Sequence, residues 1–144
     1  MERTYISDIT EENDGKKVHI NGWVYETRDL GKIRFLLLRD ITGTIQITAL
    51  KDKSGKEVFD IMTKIPHESV ISVEGEVKKS GQAPGGREII PTRIKIIAKS
   101  EPILPIEVSE FSKTELSKRL DYRFLDLHRN KTQAIFKIQS KISA

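Results

Sequence analysis

Cysteine is absent from this chain of 144 residues, which removes disulfides, thiol nucleophiles and thiolate-bound zinc together. Histidine is scarce: His19, His67 and His128 are scattered without ligand-like spacing, so each reads as a strand, loop or surface residue rather than a metal ligand. No apolar run approaches the roughly 20 residues needed to cross a bilayer. The start, Met1-Glu2-Arg3-Thr4-Tyr5, lacks the basic and then apolar pattern of a secretion signal, so a cytoplasmic location is expected. A phosphate-cradling glycine loop is missing too, because Gly81, Gly85 and Gly86 sit in a hairpin loop with no helix after it. Asp121 and Asp126 could be imagined as paired catalytic carboxylates, but nothing places a substrate between them. What the chain does have is charge. Charged residues make up 32% of it, with a net charge of +4, against 37% hydrophobic residues. That balance describes a surface-rich chain and favours a polyanionic partner without requiring one.

The richest stretch runs from Arg28 to Thr48 and reads as two strands joined by a tight turn. Alternation from Ile33 to Arg39 puts Phe35, Leu37 and Arg39 on one side and Leu36 and Leu38 on the other. After the turn Asp40-Ile41-Thr42-Gly43, Thr44, Gln46 and Thr48 alternate against Ile45 and Ile47. If Arg39 faces Thr44, then Leu37 faces Gln46, Phe35 faces Thr48, and Phe35 and Gln46 become diagonal neighbours on one exposed face. A flat aromatic beside an amide suits a nucleobase, one stacking and the other reading an edge. An ordinary half-buried hairpin, with its Phe packed under a loop, fits the same residues.

Further elements surround this hairpin. A first strand covers Lys17 to Tyr25. Ser54-Gly55-Lys56-Glu57 has the pattern of a capping box and opens a short helix through Val58, Phe59, Ile61 and Met62, stopped by Pro66. A fourth strand runs from Ser69 to Val77. The loop Lys78 to Arg87 is rich in turn formers and carries three positive charges, and a fifth strand runs from Glu88 to about Lys99. Five strands with one helix between the third and fourth match the five-stranded oligonucleotide-binding (OB) barrel, an all-β fold. Such a barrel places its ligand across strands 2 and 3, beside the loop between strands 4 and 5. The inward set is Val18, Ile20, Val24, Leu36, Leu38, Ile45, Ile47, Ile71, Val73 and Val77.

Composition changes near Glu101. Glu101-Pro102-Ile103-Leu104-Pro105 is a proline-stiffened linker. Ser112-Lys113-Thr114-Glu115 reads as another capping box, for a short helix towards Leu120. Asn130 caps a longer helix in which Ile135, Ile138 and Ile142 fall at helical spacing. Three segments are expected: residues 1–100 as the barrel, 101–129 as a linker or hinge, and 130–144 as the start of a further domain. With no remaining chain to bury that apolar stripe, the sequence reads as a piece of something larger.

Taken in order, Asn21-Gly22-Trp23-Val24, Arg28-Asp29-Leu30-Gly31, Phe35 to Asp40, Gly43-Thr44-Ile45-Gln46 and Arg119 to Leu127 resemble the N-terminal region of class II aminoacyl-tRNA synthetases of the aspartate, asparagine and lysine subgroup. The likeness covers essentially every residue and is nearest to archaeal-type aspartyl-tRNA synthetases. It implies that the barrel binds the tRNA anticodon, while a following catalytic domain uses ATP and magnesium to attach aspartate. In that family Phe35 would stack on the central anticodon uridine, Gln46 would hydrogen-bond its edge, and Glu88 would read a guanine at the first position. Arg28 and the loop Gln82 to Arg87, including Pro84 and Arg87, would meet the third base, with Lys78 and Lys79 on the RNA backbone. The helix from Asn130 would begin the motif that builds the dimer interface. No catalytic residue is expected here, and the ATP-binding arginine motifs are not in this stretch. Departures are visible as well: His128 stands where the family usually has arginine, and Tyr25 matches neither known strand 1 pattern. Pro84 resembles enzymes that charge both aspartate and asparagine tRNAs. An asparaginyl enzyme is the near alternative. A stand-alone single-strand binder and a protein-interaction barrel are the more distant ones.

Overall fold

Strand β1 (Lys17–Asp29) shows how the alternation works: Val18, Ile20, Gly22 and Val24 are buried and the residues between them are not. The computed structural model describes residues 1–144 and divides into two compact units, Met1–Pro102 and Ile103–Ala144. In the first unit β1, β2 (Ile33–Arg39), β3 (Thr44–Leu50), β4 (Val70–Lys79) and β5 (Arg87–Ala98) close a barrel in the order β1-β2-β3-β5-β4. Closure depends on a short parallel pairing of β3 with β5, which sets Gln46 beside Glu88 and Ile47 beside Ile89.

The expected hairpin register is present: Arg39 faces Thr44, Leu37 faces Gln46 and Phe35 faces Thr48. Every residue of the expected inward set is buried. β1 extends to Asp29 instead of ending at Tyr25 because it changes partner at Trp23, pairing with β4 before that residue and with β2 after it. A bulge between Val24 and Glu26 accommodates the corner. A Cβ at Gly22 would run into the Arg39 carbonyl, so only glycine allows the strands to approach so closely there.

Other expectations are corrected. Arg39 is buried, not part of an open face: its guanidinium pairs with Glu68 at 2.8 Å and lies 5.0 Å from the centre of the Tyr25 ring. Neither capping box forms. Helix α1 (Lys56–Ile61) follows Gly55 without a side-chain cap, and Ser54 instead accepts the Leu50 N–H at 3.0 Å. Ser112 bonds Thr114, so α2 (Leu116–Asp121) starts uncapped. Arg129 holds the N-cap position of α4 (Asn130–Ser143), whose Asn130 N–H is accepted by Glu110 at 2.5 Å.

The N-terminal segment also contributes to the barrel, as its sequence did not suggest. Ile6 and Ile9, in and after a short 3-10 turn, enter the main core with Phe59, Met62 and Ile65. Asp40 is their anchor, accepting the Ile6 N–H at 2.9 Å on one oxygen and the Thr42 and Gly43 N–H groups on the other.

In the second unit α3 (Arg123–Asp126) carries Leu125, which packs with Ile106 and Val108 in a small core. Asp126 ties the helices together. It accepts from Arg119 at 2.8 and 3.1 Å, from Arg129 at 3.2 Å and from the Thr132 hydroxyl at 3.2 Å. Burial alone would push its carboxyl up, but these donors outweigh burial and hold it below the ordinary carboxylate range. Ile135, Ile138 and Ile142 of α4 are exposed.

Candidate nucleic-acid interface

A groove of about 520 Å³ lies on the outer face of β1, β2 and β3, bounded by the β4–β5 loop. Its floor is apolar at Phe35, Leu37, Leu50 and Ile90, and its polar edges come from Arg28, Gln46, Thr48, Lys78 and Glu88. Period-2 alternation explains this placement, since the residues that would face the core on these strands are the aliphatic ones. Phe35 is only partly covered, so one ring face remains available for stacking.

The mouth of the groove is held by the β1–β2 turn. The Gly31 N–H donates to Asp29 at 2.8 Å, and Arg34 donates to the other oxygen at 3.0 Å. The Gly31 bond first, with Arg34 adding to it, keeps the Asp29 carboxyl below its usual range despite opposition from burial. Beside that turn Arg28 pairs across from Phe35, and its guanidinium touches only Glu26, at 3.5 Å and largely exposed. It is free to move towards a ligand.

At the other end the parallel β3–β5 pairing creates a polar triangle. Thr48 Oγ1 donates to Glu88 Oε2 at 2.5 Å, while Gln46 Nε2 lies 3.1 Å from both that oxygen and Thr48 Oγ1. No cation in the structure pairs with Glu88, so a carboxylate stands ready to accept a donor from a ligand.

Six of the expected site residues, Arg28, Phe35, Gln46, Lys78, Pro84 and Glu88, line this one groove. Two others lie outside it. Arg87 turns to the N-terminal segment and donates to the Ile6 carbonyl at 3.2 Å and the Gly85 carbonyl at 3.2 Å. Lys79 pairs with Glu11 at 2.7 Å, a contact that raises its pKa. Thr48 and Glu26 belong to the groove but were not singled out in the sequence. Alternation with Gln46 could have found Thr48; its bond to Glu88 depends on a long-range pairing that no local pattern reveals.

The family described as OB-fold nucleic acid binding domain, tRNA anti-codon, matches residues 18–97, which spans β1 to β5. The chain belongs to this family. Among relatives of this anticodon-family domain, the aspartate–tRNA(Asp/Asn) ligase of Methanopyrus kandleri is 46% identical over 143 residues, covering 99% of this chain and 33% of the relative. The aspartate–tRNA(Asp) ligase of Thermococcus kodakarensis is also 46% identical, covering 99% of this chain and 33% of that protein. The chain thus spans about a third of the length of the relatives it matches. Among solved structures, asparaginyl-tRNA synthetase from Pyrococcus horikoshii complexed with asparaginyl-adenylate superposes with a TM-score of 0.86 at 36% identity, covering 97% of this chain and 32% of that one.

Proposed function

We propose that the groove binds the anticodon loop of aspartate tRNA, and of asparagine tRNA as well. The observation that carries this reading is the convergence of Phe35, Gln46 and Glu88 on one groove, in a family whose description is anticodon and nucleic-acid binding. Phe35 stacks on the central uridine. Gln46 bonds its edge, and Glu88 accepts N–H groups from a guanine at the first position. Arg28 and the loop from Gln82 to Arg87 meet the third base, and Lys78 and Lys79 lie along the phosphates.

In the whole protein a catalytic domain attaches aspartate to the tRNA, with residues 101–129 as the hinge and α4 entering that domain and its homodimer interface. ATP and magnesium belong to that domain. Such an enzyme works in the cytoplasm. The aspartate assignment is supported by 46% identity to an archaeal aspartate ligase, and the 36% identity to the asparaginyl structure supplies the second reading. Relaxed tRNA choice rests on Pro84, which lines the groove at the start of the turn Pro84–Gly86 and offers neither a cation nor an N–H to the third base.

The test is titration of this chain with anticodon stem-loops changed one base at a time. Binding should fall when the central uridine becomes cytidine and stay nearly level when the third base changes from cytidine to uridine. Affinity that ignores the central base would remove the anticodon reading. Strong rejection of the third-base uridine would remove only the relaxed one.

A further inference from the structure

The triangle of Gln46, Thr48 and Glu88 has a hydrogen-bond logic that fixes more than position. A threonine hydroxyl owns one proton, and Thr48 gives it to Glu88 Oε2 at 2.5 Å. Towards Gln46 the hydroxyl therefore shows only lone pairs, and an ionised carboxylate has nothing but lone pairs to offer. Both neighbours of the Gln46 amide are acceptors, each 3.1 Å from Nε2. With the amide reversed, Gln46 Oε1 would face two oxygens whose single proton is already shared between them, an arrangement that leaves polar groups unpaired beside the floor of the groove. The two acceptors lie so close together that they share one amide N–H, so the nitrogen side of the amide is turned to the triangle and Oε1 is turned away from it, towards a ligand.

We propose that Thr48 is a specificity-determining positioning residue: by donating to Glu88 it locks the Gln46 amide with its carbonyl oxygen outward. The groove then selects a base edge that presents an N–H, as uracil N3 does, over one that presents a lone pair, as cytosine N3 does. This rests on the reading of the groove as an anticodon site and adds the origin of its choice at the central base. Thr48 is only 6% exposed, so it acts through Gln46 rather than by touching the base.

Thr48→Val keeps the shape and removes the proton; Thr48→Ser keeps the proton and removes a methyl group. Stem-loops with a central uridine or cytidine are titrated at one fixed salt concentration, with the folded state of each variant followed by circular dichroism. In Thr48→Val the uridine-to-cytidine preference should drop about tenfold, the worth of one hydrogen bond to a charged partner, because the amide then keeps only its Glu88 bond and that carboxylate has lost the hydroxyl that orients it. In Thr48→Ser the preference should persist. A preference that survives Thr48→Val, or one lost equally in Thr48→Ser, overturns the proposal and leaves Thr48 a packing residue. If the wild-type chain itself shows no preference, the anticodon reading fails along with it, so the two failures are distinguishable. The wild-type chain provides a further check by NMR without any variant. The Gln46 side-chain amide proton directed into the triangle should be slow to exchange before RNA is added, and rapid exchange of both amide protons would equally overturn the proposal.

Discussion

Glu88 and Asp126 each accept a hydrogen bond from a threonine hydroxyl, yet their surroundings differ in one respect. Asp126 has two guanidinium partners and is closed off by them, with Arg129 also buried; Glu88 has an amide and a hydroxyl but no cation. The comparison separates two uses of the same chemical group. A carboxylate saturated by arginines organises helices and has little left for a ligand. One restrained by neutral donors stays oriented and unneutralised, suited to accepting from a base.

The largest effect should come from breaking the closed cluster. Asp126→Ala leaves Arg129 buried without its partner and should destabilise the Ile103–Ala144 unit by about 3–5 kcal/mol, read by urea unfolding with hydrogen exchange at α3. The same cluster should be acid-sensitive. The folded Asp126 carboxyl lies below its reference value of 3.8, so its contribution is complete above that pH and disappears as pH falls through the lower folded value. A second unit equally stable at pH 7 and pH 2.5 would contradict this. In the open groove the expected effects fall on binding instead. Phe35→Ala should cost about 1–3 kcal/mol of stem-loop affinity while the unfolding midpoint is little changed, because the ring is a partly exposed platform rather than core. The smallest effect belongs to Lys79, outside the groove: Lys79→Ala should leave base preference intact and lower the salt slope of binding by about 0.7, as loss of one phosphate contact would. An unchanged slope would leave Lys79 with its Glu11 pairing alone.

Much of this was legible from the sequence because it is encoded locally. Period-2 alternation places Phe35 and Gln46 on one face, and the turn from Asp40 to Gly43 sets their register. Arg39 defeated the same pattern, since Glu68 reaches it from the segment before β4 and buries it. The N-terminal turns were hidden for a similar reason: Ile6 and Ile9 are isolated apolar residues whose burial depends on a distant Asp40. Both serine-led helix starts misled because a serine near a helix can bond other backbone groups, as Ser54 does with Leu50. Arg87 read as a loop cation facing RNA, and only the fold shows that its donors go to backbone carbonyls.

The parallel pairing of β3 with β5 joins residues 42 positions apart, Gln46 and Glu88. Contacts of such long range form late, after the chain has lost the entropy of a large loop. The base-reading triangle therefore exists only in chains whose barrel has shut, while Phe35 and its hairpin can form earlier. A partly folded chain would hold the stacking platform without the means to tell one base from another. Its RNA binding should accordingly be indiscriminate until folding is complete, and RNA that prefers the finished site should favour closure by mass action.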